Sequence, residues 1–144
     1  MKIGGGPLVL VAVMAFAVQA QAASITVTVT GVRDNRGLVR VAVCPRADFL
    51  QPHCPYFGYV PSETGSVMVT ISDVPPGVYA AQAYQDANES GVLDRNWLGM
   101  PKEGMGFSNN APMHFGPPSF NDAAFTLGTG NIALSFRLRY FTGP

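Results

Sequence analysis

The residues best placed to do chemistry lie in one short stretch, Asp86-x-Asn88-x-Ser90-Gly91-x-x-Asp94. Oxygen-bearing side chains at the first, third, fifth and ninth places, with glycine at the sixth, match the first part of an EF-hand-type calcium loop. The reason for the pattern is geometric. Ca²⁺ gathers roughly six to eight oxygens at about 2.3–2.6 Å. A backbone that turns sharply at Gly91 can aim alternate side chains inward and add the carbonyl of Val92. The twelfth place, normally a bidentate Glu, holds Trp97. Glu103 is the nearby downstream Glu that could fold back to supply the carboxylate. The expected ligand set is Asp86, Asn88, Ser90, Val92 (carbonyl), Asp94 and Glu103. Without Glu103 the charge comes from Asp86 and Asp94 alone, which implies weak affinity of the millimolar kind found in extracellular modules. The plain alternative is a turn, because Asp and Asn side chains bond their own backbone and tolerate left-handed φ.

Other candidates cluster downstream. Met100, Met105, Met113 and His114 offer soft thioethers and an imidazole, which suit copper. Methionine also fills irregular gaps under long loops, and no tight Met–His spacing is present. Trp97, Phe107, Asn109, Asn110, Phe115 and Phe120 could contact a sugar or peptide. The simpler role for Trp97 and Phe107 is to anchor the loop, since a loop needs buried apolar contacts to be ordered. Catalytic motifs are missing: there is no G-x-S-x-G, no H-E-x-x-H and no phosphate-cradling glycine loop. His53 and His114 sit in unrelated Pro-rich surroundings, and Ser108 has no base within its motif. No catalytic residue is therefore assigned, although a triad can assemble without regard to sequence order.

Short strands must position these residues. Ser24 to Val32 alternates Ile25, Val27 and Val29 with Thr26, Thr28 and Thr30, the period of a half-buried strand. Gly31 to Gly37 reads as a hairpin turn into a second strand, Leu38 to Cys44. Asp48 to Leu50 could form a helical turn, limited by Pro45, Pro52 and Pro55. Ser66 to Ile71 is a third strand. Asp73 to Gly77 is a Pro-Gly turn, and Val78 to Gln85 is a fourth strand. Asp86 to Asn121 shows no sustained period and reads as one long functional loop. Ala123 to Leu127 and Ile132 to Phe141 complete six expected strands. No helix of ten residues is credible, so the pattern points to an antiparallel sandwich or barrel.

Composition narrows the function. Lys plus Arg equals Asp plus Glu, 9 each, in 144 residues. A neutral chain lacks the basic face that meets nucleic-acid phosphates or anionic lipid. Gly and Pro make up 28 of the 144 residues, which favours turns over long helices. Met1-Lys2, the 12-residue apolar run Pro7 to Val18 and Ala20-Gln21-Ala22 have the layout of a secretory signal peptide. The apolar run is shorter than the roughly 20 residues a membrane span needs. Cleavage is expected at Ala22/Ala23, with Ala20/Gln21 second. That makes residues 1–22 the leader and 23–144 a single domain, periplasmic or secreted, with no membrane span after cleavage. In an oxidising compartment Cys44 and Cys54 read as a disulfide worth about 3 kcal/mol. The other reading, a metal or redox site of Cys44, His53 and Cys54, matches no usual zinc spacing.

The block SDVPPGVYAAQAYQD followed by ANESGVLDRNWLGMPKEGMGFSNN resembles the bacterial domain-of-unknown-function family 2141, small exported proteins of about this length. PPGVYA, DANESGVLD and LGMPKEGMGFSNN carry the resemblance, which covers about Ile25 to Tyr140. The chain departs from the family's asparagine-rich loop at Glu89-Ser90. The resemblance implies an immunoglobulin- or transthyretin-like β-sandwich and no established activity. Taken together, the expectation is an all-β, antiparallel β-sandwich with one long ordered loop after its fourth strand. It would serve as a binding or structural module of the cell envelope, with a calcium-stabilised loop and an envelope or extracellular partner the sequence does not name. The rival readings are a hydrolase-type enzyme with its site on the 86–121 loop, and a copper-handling periplasmic protein.

Overall fold

The computed structural model describes residues 4–16 and 21–141. Residues 4–16 are exposed and take no regular secondary structure. Met1-Lys2 and Ala20, which carry part of the leader reading, lie outside the described residues. Among the described residues no helix is long and apolar enough to cross a membrane.

The alternating valines form strands as expected, and their buried faces meet. β1 (Ala23–Val32), β4 (Gly65–Val74) and β8 (Ile132–Arg137) make one sheet in the order β4-β1-β8. β2 (Leu38–Pro45), β3 (Tyr56–Pro61), β5 (Gly77–Asp86) and β6 (Met105–Phe107) make the other in the order β3-β2-β5-β6, with β7 (Ala124–Leu127) also on β5. Ile25, Val27, Val29, Val67, Val69 and Ile71 of the first sheet pack against Val39, Val41, Val43, Ala81 and Ala83 of the second. This is a β-sandwich, held by apolar burial at roughly 25 cal/mol per Å².

Three expectations need correction. Gly31 to Gly37 does not close a hairpin: β1 pairs with β4 and β8, whereas β2 pairs with β3 and β5. The link carries the chain from one sheet to the other, because both valine faces must be buried against each other and not side by side. The pairing is mostly antiparallel as expected, with β1 and β8 the parallel exception. That last strand ends at Arg137, short of Phe141; Leu138 N–H bonds Thr30 O at 2.9 Å and Arg139 then bridges to Met105.

The third correction concerns the long loop. Only its first part projects. Met105 to Phe107 adds to the second sheet, and the chain beyond it covers that sheet's outer face. There Phe49, Phe107, Ala111, Phe120 and Ala123 form a second small core with Cys44 and Ala80. The Phe49 ring meets Phe107 and Phe120 edge-on at 5.9 and 5.7 Å, a favoured aromatic geometry. A single helical turn, α1 (Phe120–Ala123), is capped by Ser119 Oγ, which accepts from Asp122 N–H at 3.2 Å. The Cys44–Cys54 disulfide forms, with Cα atoms 5.2 Å apart, and ties this core to the start of β3.

Candidate metal centre

Asp86 is the last residue of β5, and the chain must turn there. The carboxylate makes the turn. Oδ1 accepts from Ser90 N–H (3.0 Å) and Ser90 Oγ (3.3 Å); Oδ2 accepts from Gly91 N–H (2.8 Å) and Arg40 Nε (2.7 Å). Gly91 has φ +79°, the left-handed conformation that glycine adopts without cost. Asp86 is fully buried. Burial alone would raise its carboxyl, but the Arg40 guanidinium and the Gly91 and Ser90 donors hold it below the ordinary carboxylate value. Arg40 had no local signal in the sequence. It reaches Asp86 because β2 and β5 pair with Leu38 opposite Asp86 and Arg40 opposite Tyr84.

The other predicted ligands gather round Ser90. Its Oγ lies 2.9 Å from Val92 O and 3.3 Å from Asp94 Oδ2, in addition to the Asp86 contact. Asn88 Nδ2 donates to Asp94 Oδ2 at 2.8 Å, while its Oδ1 accepts from Ser90 N–H at 3.2 Å. Oxygens on a shared shell of radius about 2.4 Å stand roughly 3 Å from their neighbours, so this spacing suits a common centre. The Asn88 amide would present its oxygen to that centre after a half-turn.

Glu103 folds back to the same place. Residues 94–103 form a small hairpin: Arg95 bridges Pro101, Lys102 N–H bonds Asp94 O at 2.8 Å, and Asn96 N–H bonds Met100 O at 2.8 Å. Gly104 O then accepts from Gln85 N–H at 3.0 Å, which fixes Glu103 beside the end of β5. Gly104 permits this close approach, since a Cβ there would lie 2.4 Å from the Tyr140 ring. Carboxylate oxygens of Asp86, Asp94 and Glu103 lie within 4.8 Å of one another, about the diameter of a calcium shell. Burial, a hydrogen bond with Asp94 and the charges of Asp94 and Asp86 push the Glu103 carboxyl up to about 8. The same hydrogen bond, with Asn88 and Ser90, lowers Asp94. Glu103 Oε2 is buried without a hydrogen-bond partner.

The remaining candidates divide. Trp97 does not anchor the loop: it is 91% exposed at the hairpin tip, where the chain reverses at Gly99. Phe107, 1% exposed, does anchor it. Asn109 Nδ2 donates to Ala124 O at 2.9 Å, and Asn110 Oδ1 accepts from Arg137 N–H at 2.9 Å, so both pin the covering segment. Ser108 is buried, with its hydroxyl bonded to the main chain of Ala81 and Ala123. His53 and His114 line two separate cavities.

No curated protein and no solved structure matches this chain. A family model described as an uncharacterized protein conserved in bacteria (DUF2141) matches residues 27–135. That span runs from β1 into β8 and takes in the whole Asp86–Glu103 cluster, and the chain belongs to this family.

Proposed function

We propose that this protein is an exported binding or structural module of the bacterial cell envelope whose Asp86–Glu103 loop is ordered by calcium. The inward carboxylate of Glu103 carries the reading. Arg40 offsets the charge of Asp86, but Asp94 and Glu103 repel, and at neutral pH that pair favours taking up a proton or a cation. Asp86, Asp94 and Glu103 supply charge; Asn88, Ser90 and the Val92 carbonyl complete an all-oxygen set of the kind a hard divalent ion takes. Export is supported by the leader-like sequence of residues 1–22 and fits the disulfide.

Calcium in this position would tie the 94–103 hairpin to the end of β5. Binding only the folded form raises stability by mass action, and its job would be to fix the shape of the loop end of the sandwich. Titration calorimetry of the purified protein with Ca²⁺ tests this, with Glu103→Gln and Asp94→Asn as variants. Heat and a rise in melting temperature in the low-millimolar range, lost in both variants, are expected. No heat and no shift at about 10 mM calcium would remove the proposal.

A further inference from the structure

Three of the chain's six methionines and one of its two histidines border a second place. Met100, Met105, Met113 and His114 all line one open cavity of about 260 Å³, walled in part by the 94–103 hairpin. They come from three separate segments, so their shared cavity is a product of the fold and not of sequence spacing. We propose that these four side chains bind a soft monovalent ion, Cu(I).

The donors fit that class. Thioether sulfur is a poor ligand for hard ions and a good one for Cu(I), and imidazole joins it readily. Two of the donors have their backbone held by hydrogen bonds and a third is packed in place. Met105 is in β6, and its N–H and C=O are both bonded to Arg139, at 3.0 and 2.8 Å. Met100 N–H is bonded to Asn96 Oδ1 at 3.0 Å. Met113 packs against the small aromatic core of Phe49, Phe107 and Phe120. Gap-filling would hide all three sulfurs in that core. Met105 and Met113 are only half-buried against it and still line the open cavity, and Met100 stays 39% exposed. Leu98 and Phe115 add apolar walls, which suit an ion of low charge. Arg95 is the one Lys or Arg on the lining; its guanidinium donates to Gly99 O at 2.9 Å. The site is separate from the carboxylate cluster, whose oxygens serve a hard ion.

The test uses Ag(I), a redox-silent ion of the same charge and softness, on the purified protein labelled with ¹³C at the methionine methyls. In chloride-free buffer, a single equivalent should shift the methyl signals of Met100, Met105 and Met113 and the ring of His114. Met68, exposed on β4, should stay in place. Met105→Leu keeps the apolar volume and removes the sulfur; His114→Gln removes the imidazole at an exposed position. Each should weaken binding roughly 10–100-fold or more, as loss of even an outer-shell contact does, while leaving the melting temperature without metal near that of the parent. Cu(I) delivered from a competing chelator should show the same order among the variants. Equal shifts at Met68 and the cavity methionines, no saturation, or unchanged affinity in both variants would each overturn the proposal. So would calcium, and not silver, moving the same signals.

Discussion

Carboxylate oxygens of Glu103 and Asp94 lie within 4.8 Å of each other, and the pair pushes the Glu103 carboxyl up to about 8 while that of Asp94 is lowered. Asp94 is the more solvated partner and accepts from Asn88 and Ser90, so it keeps the charge. The arrangement has a defined pH signature. The folded-state value of Glu103, about 8, is above its ordinary 4.5, so its contribution to stability is fully present below about pH 4.5 and is lost as pH rises towards 8. Metal-free protein should therefore melt at a progressively lower temperature across that window, and Glu103→Gln should flatten the slope. Calcium should displace the proton, so calorimetry in buffers of different ionisation heat should show proton release near neutral pH. A melting temperature independent of pH in this window, for both parent and variant, would put the carboxyl in ordinary water.

Asp86 behaves oppositely and is the poorer probe of the metal. Its depressed carboxyl gives stability that is present above about pH 3.8 and lost as pH falls through the folded value. Asp86→Ala strands Arg40 and frees the Ser90 and Gly91 N–H groups, and should cost about 3 kcal/mol in denaturant titration, with or without calcium. The Arg40 side chain keeps 28% exposure, which holds the loss to the lower end for a broken ion pair. A loss seen only in the presence of calcium would mean that Asp86 acts mainly as a ligand.

The oxygen spacing from Asp86 to Asp94 was legible in the sequence because consecutive residues of one turn supply it. The return of Glu103 was a length argument only: the Arg95–Pro101 bridge that brings it back carries no spacing signature. The valine alternation marked β1, β2 and β4, but period two does not say which strand pairs with which. Hence Gly31–Gly37 read as a hairpin when it crosses between sheets. β3 was hidden by Pro55, Pro61 and Gly58, which look like loop residues although they border or sit in an edge strand. β6 has three residues, too few to show a period. The cavity shared by three methionines and His114 depends on tertiary placement alone.

Gly37 makes the crossover possible, and it should not tolerate a side chain. Its φ is +67°, and a Cβ would lie 2.0 Å from the Asp86 carbonyl oxygen, at the very corner where the carboxylate site begins. A Cβ at Gly65, φ +105°, would meet nothing within 4 Å. Alanine at either position meets backbone strain, but only Gly37→Ala meets backbone atoms. Gly37→Ala should cost at least about 2 kcal/mol more than Gly65→Ala in matched denaturant melts. It should also weaken calcium binding, because the end of β5 must shift. Equal costs would show that the corner relaxes freely.

Phe107 and Trp97 separate anchoring from display within one segment. Phe107 sits between β5 and the covering chain, its ring edge-on to Phe49, whereas Trp97 stands in solvent at the hairpin tip. Phe107→Ala should open a cavity in the small aromatic core and cost about 3–5 kcal/mol. Because Ser108 next to it bonds Ala81 and Ala123, the loss should be accompanied by faster amide exchange along β6 and β7. Trp97→Ala should change stability by less than about 0.5 kcal/mol. Trp97 fluorescence should report a solvent-exposed indole, readily quenched by iodide. A buried emission maximum, or a large stability loss in Trp97→Ala, would mean that the hairpin tip packs against the sandwich and that the 94–103 hairpin is held by its aromatic tip instead of by Glu103 and Gly104.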